Sequence, residues 1–315
     1  MHFLGIIWNP NETLFTLGPL QIKYYNLLWI IAFAIGWFVM KRIYKSEKKT
    51  VEQLDSLFIH CVLSIMLGAR LGHVFFYDWA YYKNNLLEIL LPIQKSADSA
   101  LFGFINGYEF TGFTGLASHG ATIGAIIGIY LYSRKQNLKV LWVLDRAVVA
   151  TALGLFCVRL GNFFNSEIVG TKVEESFIFA TKFVREGIGK GQAMSITKEK
   201  TVNAAYDALV SKPEYAEYIA NIPYKHPSQL YEGILYIVMF FVLYFLYWKT
   251  DKKNQPGFLF GVFMVMLWGI RFIIEFLKER QNELDESFTL AIGQMLSIPF
   301  ILIGLYFMFR PKRTV

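Results

Sequence analysis

Seven apolar segments, each long enough to cross a lipid bilayer, dominate this sequence. A helix needs about 20 apolar residues to span the hydrocarbon core of a bilayer. The segments lie at residues 22–40, 54–77, 113–133, 141–163, 226–248, 257–277 and 288–309. Hydrophobic residues make up 55% of the 315 residues and charged residues only 17%, which excludes a disordered chain and a typical soluble enzyme. The sequence therefore predicts an all-α integral membrane protein, with seven transmembrane helices in a single domain over residues 1–315.

Clusters of lysine and arginine follow alternate segments and predict the orientation of the chain. They lie at residues 41–49, 134–139, 249–253 and 310–313, whereas the opposite connections hold few basic residues, Lys278 among them. Because basic residues in short loops mark the cytoplasmic face, we expect the N-terminus outside and the C-terminus in the cytoplasm. The net charge of +7 has the same origin, so the lipid bilayer is an expected partner and nucleic acid is not.

One connection is long, and it covers residues 164–225 between the fourth and fifth segments. In the predicted orientation this stretch is an extracytoplasmic insertion. Residues 201–220 are expected to form one surface helix that is interrupted at Pro213, because proline cannot donate the backbone hydrogen bond of a helix interior. A connection of this length is usually either functional or disordered.

The third segment contains three glycines at intervals of four residues, Gly120, Gly124 and Gly128. Small residues at this spacing let two helix backbones approach closely within a membrane. The spacing predicts a face on which another helix packs tightly.

Polar side chains within the predicted spans are the strongest sign of function, because each buried charge costs about 2.5–3.5 kcal/mol on insertion scales. In the predicted orientation, those of five segments share one depth near the outer surface. They are Arg70, His73, Tyr77, His119, Arg159, Asn162, Asn165, His226, Gln229, Tyr231, Glu232, Arg271 and Glu275. Singly, each is equally well explained as an end group or half of an ion pair between helices; Arg271 and Glu275, four residues apart, fit such a pair. Asp145 and Arg146, at the inner end of the fourth segment, are expected to face the cytoplasmic interface.

Two or three arginines at headgroup depth suit a phosphate, since each offers a fixed fork of donors that stays charged. At that depth the phosphate belongs to a phospholipid. Arginine can bind it or stabilise it as a leaving group, and a histidine such as His119 can accept a proton from a nucleophile near neutral pH. The residues alone leave an enzyme and an anionic-lipid transporter or flippase both open, although no repeat typical of transporters is visible. Nothing in the sequence predicts a metal site, and segment 288–309 lacks the lysine of a retinal protein.

Six short stretches contain most of these polar residues. They read GARLGHVFFY at 68–77, SHG at 118–120, VRLGNFFNSEIVG at 158–170, HPSQLYE at 226–232, GIRFIIEF at 269–276 and IGQMLSIP at 292–299. Together they resemble, in order and across all seven segments, the bacterial prolipoprotein diacylglyceryl transferases. The resemblance implies transfer of the diacylglyceryl group of phosphatidylglycerol to the lipobox cysteine thiol of a prolipoprotein signal peptide, with a thioether and glycerol 1-phosphate as products. It also implies that the protein is located in the bacterial inner membrane, that its active site faces the extracytoplasmic leaflet and that the reaction needs no cofactor.

The same resemblance implies roles for individual residues. His119, Arg159 and Arg271 would be catalytic, with His119 as the base for the thiol and Arg159 as the ligand of the lipid phosphate. The remaining residues would bind substrate: Tyr25, Arg70, Asn162, Glu167, Gly170, Gln229, Tyr231, Glu232 and Glu275.

Overall fold

The computed structural model describes residues 5–17, 20–101, 105–111, 115–279 and 290–311, and most of them are helical. The helices are α1 Tyr24–Ser46, α2 Val51–Phe76, α3 Trp79–Tyr82, α4 Leu87–Leu90, α5 Ser118–Lys135, α6 Val140–Phe164, α7 Val184–Gly187, α8 Lys190–Thr197, α9 Val202–Ser211, α10 Ala216–Ala220, α11 Ser228–Lys249, α12 Phe258–Ile274 and α13 Ile292–Phe309. The strands are β1 Ile6–Trp8, β2 Thr13–Leu17, β3 Leu20–Lys23, β4 Ile93–Leu101, β5 Ile105–Phe110 and β6 Thr181–Phe183.

Within the described residues, six helices are long and apolar enough to cross a membrane: α1, α2, α6, α11, α12 with the turn that follows it, and α13. The prediction of a helical integral membrane protein is therefore confirmed in this coarser form. The remaining predicted span, 113–133, corresponds to α5, whose 18 residues include three glycines and two basic residues in the last turn. Those residues lower the mean hydropathy of α5, so the seventh membrane helix stays a prediction. The orientation of the chain in the membrane also stays a prediction. Residues 113–114 and 288–289 of the predicted spans lie outside the described part of the chain.

The chain divides into two compact units, and residues 40–144 form one of them. Here α2 and α5 pack along each other at the predicted glycine face. A methyl group at Gly120 would collide with the backbone of Gly68 and Gly72, and one at Gly124 would collide with the backbone of Ser64. The prediction of tight packing is thus confirmed. Strands β4 and β5, which the sequence analysis did not predict, pair antiparallel in the same unit.

Residues 1–39 and 145–315 form the other unit, which includes residues 164–225, the head segment. The head segment folds around an apolar core of its own. The core consists of Val184, Ile188, Ala193, Ala205, Tyr206, Leu209, Ile219 and Ile222. Strand β6 pairs in parallel with β1, from Ile6 opposite Thr181 to Trp8 opposite Phe183. The predicted interruption at Pro213 is confirmed, since α9 ends at Ser211 and Pro213 opens a short 3-10 turn.

Asp145 and Arg146 are buried, so the expectation that they face an aqueous interface was wrong. Asp145 instead caps the start of α12. Its carboxylate accepts hydrogen bonds from the backbone N–H of Gly257 at 2.6 Å and of Phe260 at 2.9 Å. A carboxylate at a helix N-terminus satisfies N–H groups that have no partner within the helix and interacts favourably with the helix dipole. The contact fixes where α12 begins relative to α6.

Candidate functional site

A fully buried carboxylate, Glu232 on α11, lies at the centre of the polar cluster in the unit of residues 1–39 and 145–315. The Nε of Arg159 on α6 forms an ion pair with its Oε2. The Nζ of Lys278, just after α12, lies 2.5 Å from Oε1, and the Tyr236 hydroxyl donates to Oε2 at 3.2 Å. Two cations and a hydroxyl offset the cost of burying one carboxylate. Glu232 therefore ties together the end of α6, the start of α11 and the end of α12.

The Arg159 guanidinium continues into a chain of polar side chains that reaches the protein surface. Its Nη1 donates to Asn162 Oδ1 at 3.4 Å, and Asn162 Nδ2 donates to Glu167 Oε1 at 2.7 Å. Asn165 donates to the same Glu167 oxygen at 3.4 Å. Asn162 is buried and Glu167 is exposed. The guanidinium is thus held at its Nε and at one Nη, which fixes the plane of the group.

The loop after α6 is held by the first turn of α11. Gln229 Nε2 donates to the carbonyl of Glu167, and Ser228 Oγ donates to the carbonyl of Ile168, both at 2.7 Å. Ile168 has a φ of 61°. A β-branched residue in this left-handed region stores strain, which persists only where surrounding contacts enforce it. The HPSQLYE stretch therefore shapes the loop that carries Glu167.

Gly170 lies where this loop meets two other chain segments. Its N–H donates to the His226 carbonyl at 2.9 Å. A methyl group on its α-carbon would lie 2.6 Å from both the Leu277 carbonyl oxygen and His226 Cβ. Real Cβ atoms do not approach backbone so closely, so the position admits only glycine without a shift of the backbone.

We expect Gly170→Ala to lower the free energy of unfolding by about 1–3 kcal/mol, the usual cost of overpacking. The midpoint of thermal unfolding, followed by tryptophan fluorescence in detergent, measures the effect. Gly191→Ala is the matched control, because nothing lies within 4 Å of a methyl group there. Equal midpoints for Gly170→Ala and Gly191→Ala would contradict the close packing at Gly170.

Arg271 and Glu275 lie at the end of α12 but do not pair with each other in the described part of the chain. Glu275 Oε2 lies 3.7 Å from Lys278 Nζ, and the Arg271 guanidinium lies over the Trp268 ring, 5.1 Å from its centroid. The structural ion pair that the spacing of Arg271 and Glu275 left open is therefore not formed among the described residues. The cation–π contact orients Arg271 without neutralising its charge.

Two predicted aromatic residues also lie in this unit. The Tyr25 ring packs on Gly161, where a methyl group would lie 2.6 Å from Cδ2. The Tyr231 hydroxyl is within 3.2 Å of His226 Nδ1. The position of Tyr25 depends on a residue without a side chain, two residues from Arg159 along α6.

Two residues of the cluster, and one buried lysine outside it, were missed as site residues. Lys278 was interpreted only as a basic residue of a connection, and Tyr236 and Lys225 were not singled out. For Tyr236 the spacing offers a signal, since it follows Glu232 by four residues on α11 and so lies on the same helix face. Lys278 lies beyond the end of α12 and Lys225 before the start of α11, where helix spacing offers none. Lys225 Nζ pairs with Glu186 at 2.9 Å and Glu279 at 3.0 Å. Burial alone would lower the pKa of Lys225, but the two carboxylates outweigh it and raise the pKa.

Two predicted site residues belong to the unit of residues 40–144. Arg70 is buried on α2, and its guanidinium donates to the carbonyls of Glu88, of Ile89 at 2.9 Å and of Gly115 at 3.5 Å. These contacts hold the backbone segments that follow α2 and precede α5. His119 lies in the first turn of α5 with an exposed side chain.

Comparison with known proteins agrees with the residue patterns. A family model described as prolipoprotein diacylglyceryl transferase matches residues 12–310. A phosphatidylglycerol–prolipoprotein diacylglyceryl transferase of Bacteroides fragilis is 38% identical over 306 residues, which cover 97% of this chain and 95% of the relative. Proteins of the same name from Tolumonas auensis and Chloroherpeton thalassium are 33% and 32% identical, over 96% and 97% of this chain and 96% and 94% of theirs.

These relatives are transferases by name, so the alternative of a lipid transporter or flippase gains no support. The family match extends over nearly the whole chain, from the N-terminal hairpin to the end of α13. It includes all the residues of the cluster around Glu232. The chain belongs to the prolipoprotein diacylglyceryl transferase family.

Proposed function

We propose that this protein transfers the diacylglyceryl group of phosphatidylglycerol to the lipobox cysteine of a prolipoprotein signal peptide. Family membership supports the reaction and its two substrates. The observation that carries the proposal is the fixed guanidinium of Arg159, held by buried Glu232 and by Asn162 at the end of α6. Such a group is suited to a phosphate because its donors are preorganised in one plane.

In the proposed reaction the cysteine thiol gives up its proton, and its sulfur attacks the glycerol carbon of the diacylglyceryl group. The bond between that carbon and the phosphate oxygen breaks. The oxygen keeps the electron pair and leaves as glycerol 1-phosphate, while the sulfur and carbon form a thioether. Negative charge grows on the leaving phosphate oxygen, so a fixed cation lowers the barrier more than it strengthens substrate binding.

We assign the phosphate to Arg159 and Arg271. Arg159 has further N–H donors on its Nη atoms, besides those that contact Glu232 and Asn162. Arg271 packs on the Trp268 ring, a contact that leaves its positive charge available to a phosphate. Gln229 Oε1 is buried and has no hydrogen-bond partner within the described residues, which suits it to accept a hydroxyl of the glycerol headgroup. The other residues proposed to bind substrate, directly or through the side chains and backbone that they hold in place, are Tyr25, Arg70, Asn162, Glu167, Gly170, Tyr231, Glu232 and Glu275.

We also propose that the protein crosses the bacterial inner membrane seven times, with α5 as the additional span. The alternation of basic clusters favours an N-terminus outside, a cytoplasmic C-terminus and a head segment outside. In that orientation the end of α6, the start of α11 and the end of α12 face the extracytoplasmic leaflet. The Arg159 cluster would then lie at the level of outer-leaflet phosphates.

A reconstituted reaction tests the proposal. Purified protein in detergent receives phosphatidylglycerol and a lipobox peptide, and mass spectrometry monitors the diacylglyceryl thioether and glycerol 1-phosphate. A peptide with serine in place of cysteine and a reaction with phosphatidylcholine are the controls. We expect both products from the reaction with phosphatidylglycerol and the cysteine peptide, and neither product from the two controls. Phosphatidylglycerol that binds but is never cleaved, across many peptides, would overturn the proposed reaction.

The proposed base is tested by His119→Asn. We expect the transfer rate to fall by roughly 10²–10⁴-fold, the usual contribution of a positioned base. Transfer rates measured as a function of pH check this. His60→Asn is the control, since His60 contacts the Ser56 carbonyl within α2. Full activity of His119→Asn with an unchanged pH profile would assign His119 to packing.

A further inference from the structure

A polar cavity lies in the unit of residues 1–39 and 145–315, and none of the residues that line it belongs to the cluster around Glu232. It has a volume of about 470 Å³ and is bounded by the hairpin of β2 and β3 and by the head segment. Its charged lining consists of Lys23, Arg185, Lys190 and Glu12. Three cations face one carboxylate, so the cavity has a net charge of +2.

The two lysines share the Glu12 carboxylate. Glu12 Oε2 lies 3.1 Å from Lys190 Nζ and 3.7 Å from Lys23 Nζ. Both ammonium groups therefore lie within reach of a single tetrahedral anion. The side chains of Lys190 and Lys23 are 56% and 43% exposed. They are free to turn from Glu12 towards a ligand, because an exposed ion pair is worth only about 0–1 kcal/mol.

Arg185 provides a fixed charge at the wall of this cavity. Its side chain is buried, its Nε donates to Asn9 Oδ1 at 3.0 Å, and both Nη groups donate to Asn203 Oδ1 at 3.1 and 3.2 Å. The guanidinium also lies 4.6 Å from the centroid of the Tyr206 ring. Its Nη1 atom lies 4.0 Å from Glu12 Oε1, which is farther than a hydrogen bond. A buried cation held mainly by neutral amides favours an anion nearby.

The start of α9 adds hydrogen-bond donors to the same cavity. Thr201, Val202 and Asn203 line it, and the Thr201 hydroxyl already caps the N–H of Ala204. The other N–H groups of the first turn have no partner within the helix, and they favour a bound anion. Donors thus come from side chains and backbone together, as in phosphate sites generally.

The cavity also lies close to the start of a candidate membrane helix. Lys23 directly precedes α1, and the adjoining strand β2 exposes Leu14 and Phe15. Apolar side chains beside basic ones are typical of protein surfaces that meet phospholipid headgroups.

We propose that this cavity binds the phosphate group of a glycerol phosphate ester. This phosphate belongs either to the headgroup of phosphatidylglycerol or to soluble glycerol 1-phosphate. Only the choice of these two esters rests on the proposed function. The cavity is a phosphate site separate from Arg159, placed to hold lipid substrate before transfer or soluble product after it.

Calorimetric titration with glycerol 1-phosphate tests the site in an Arg159→Ala, Arg271→Ala background, which removes both phosphate ligands proposed for the transfer reaction. We expect one molecule to bind. Adding Lys23→Gln and Lys190→Gln together should weaken binding at least tenfold. Adding Glu12→Gln should strengthen it several-fold, because the competing carboxylate is lost. Adding Lys200→Gln, an exposed lysine of the head segment outside the cavity, should change nothing.

A second titration identifies the source of the phosphate. The same variants in nanodiscs of phosphatidylcholine receive phosphatidylglycerol, and native mass spectrometry counts the retained lipids. Cavity-dependent binding of either probe supports the proposal and tells lipid from soluble ester. Binding of neither probe, equal binding with and without the two lysines, or weaker binding after Glu12→Gln would each overturn it. The binding result is independent of thioether formation, so failure of the proposed reaction is recognised separately.

Discussion

Arg159→Lys is expected to lower the rate of diacylglyceryl transfer by roughly 10²–10³-fold, the usual loss when a preorganised donor at a developing charge is removed. Lysine keeps the positive charge, but its ammonium is a point donor on a flexible stem. The guanidinium contacts Glu232 through Nε and Asn162 through Nη1. One ammonium group cannot make both contacts and also bind a phosphate, so the geometry of the site is lost while its charge remains.

Steady-state kinetics with phosphatidylglycerol and a lipobox peptide measure this effect, and Arg159→Ala marks the full loss. Arg134→Lys is the matched control, because Arg134 is exposed in the last turn of α5. We expect kcat to fall more than KM rises, since the proposed contact strengthens as the leaving group gains charge. Nearly wild-type transfer by Arg159→Lys would show that charge alone suffices and that the planar fork of donors has no role.

Much of the fold follows from apolar length alone. Segments of about 20 apolar residues predict membrane helices because no other local structure satisfies the backbone in lipid. The glycine spacing of α5 correctly predicts its tight packing on α2, because small residues four positions apart lie on one helix face and let a second backbone approach. The hairpins β2–β3 and β4–β5 were missed. Strands β2 and β3 lie directly before α1, and β4 and β5 lie between α2 and α5, where neither apolar length nor charge marks an element.

The candidate site was predictable as a set of residues but not as a set of contacts. The depth of buried polar residues selected Arg159 and Glu232, because charges are costly within a membrane span. Their direct ion pair, and the contact of Lys278 with Glu232, depend on how α6, α11 and α12 pack. Sequence spacing reports neighbours along one segment only, and it allowed Arg271 as the partner of Glu275, where the structure has Lys278.

Glu232→Ala is expected to destabilise the protein by about 3–5 kcal/mol, the cost of breaking a buried ion pair by removing one partner. The carboxylate has no exposed surface and contacts both Arg159 and Lys278. Without it, two cations from different helices face each other in a poorly solvated site. Among the described residues, the ion pairs that join α6, α11 and the end of α12 all involve Glu232. The repulsion between Arg159 and Lys278 therefore acts on the packing of all three.

The midpoint of thermal unfolding in detergent measures the loss. Glu279→Ala is the matched control, because Glu279 is partly exposed in its pair with Lys225 and such a pair contributes about 0–1 kcal/mol. A double variant, Glu232→Ala with Lys278→Ala, should recover part of the stability, because one of the two unpaired cations is also removed. The coupling between the two sites is then read from the double-mutant cycle.

Stability and activity together identify what Glu232 does. If it acts by holding Arg159 in place, Glu232→Gln should retain a folded protein, since the amide still accepts a hydrogen bond, yet transfer should fall about as far as in Arg159→Lys. If Glu232→Ala instead unfolds at the same temperature as the wild type, the ion pairs do not hold the helices together. An unchanged rate of transfer by Glu232→Gln would mean that Asn162 alone orients the guanidinium. The contacts of Asn162 and Glu167, not the buried carboxylate, would then position Arg159.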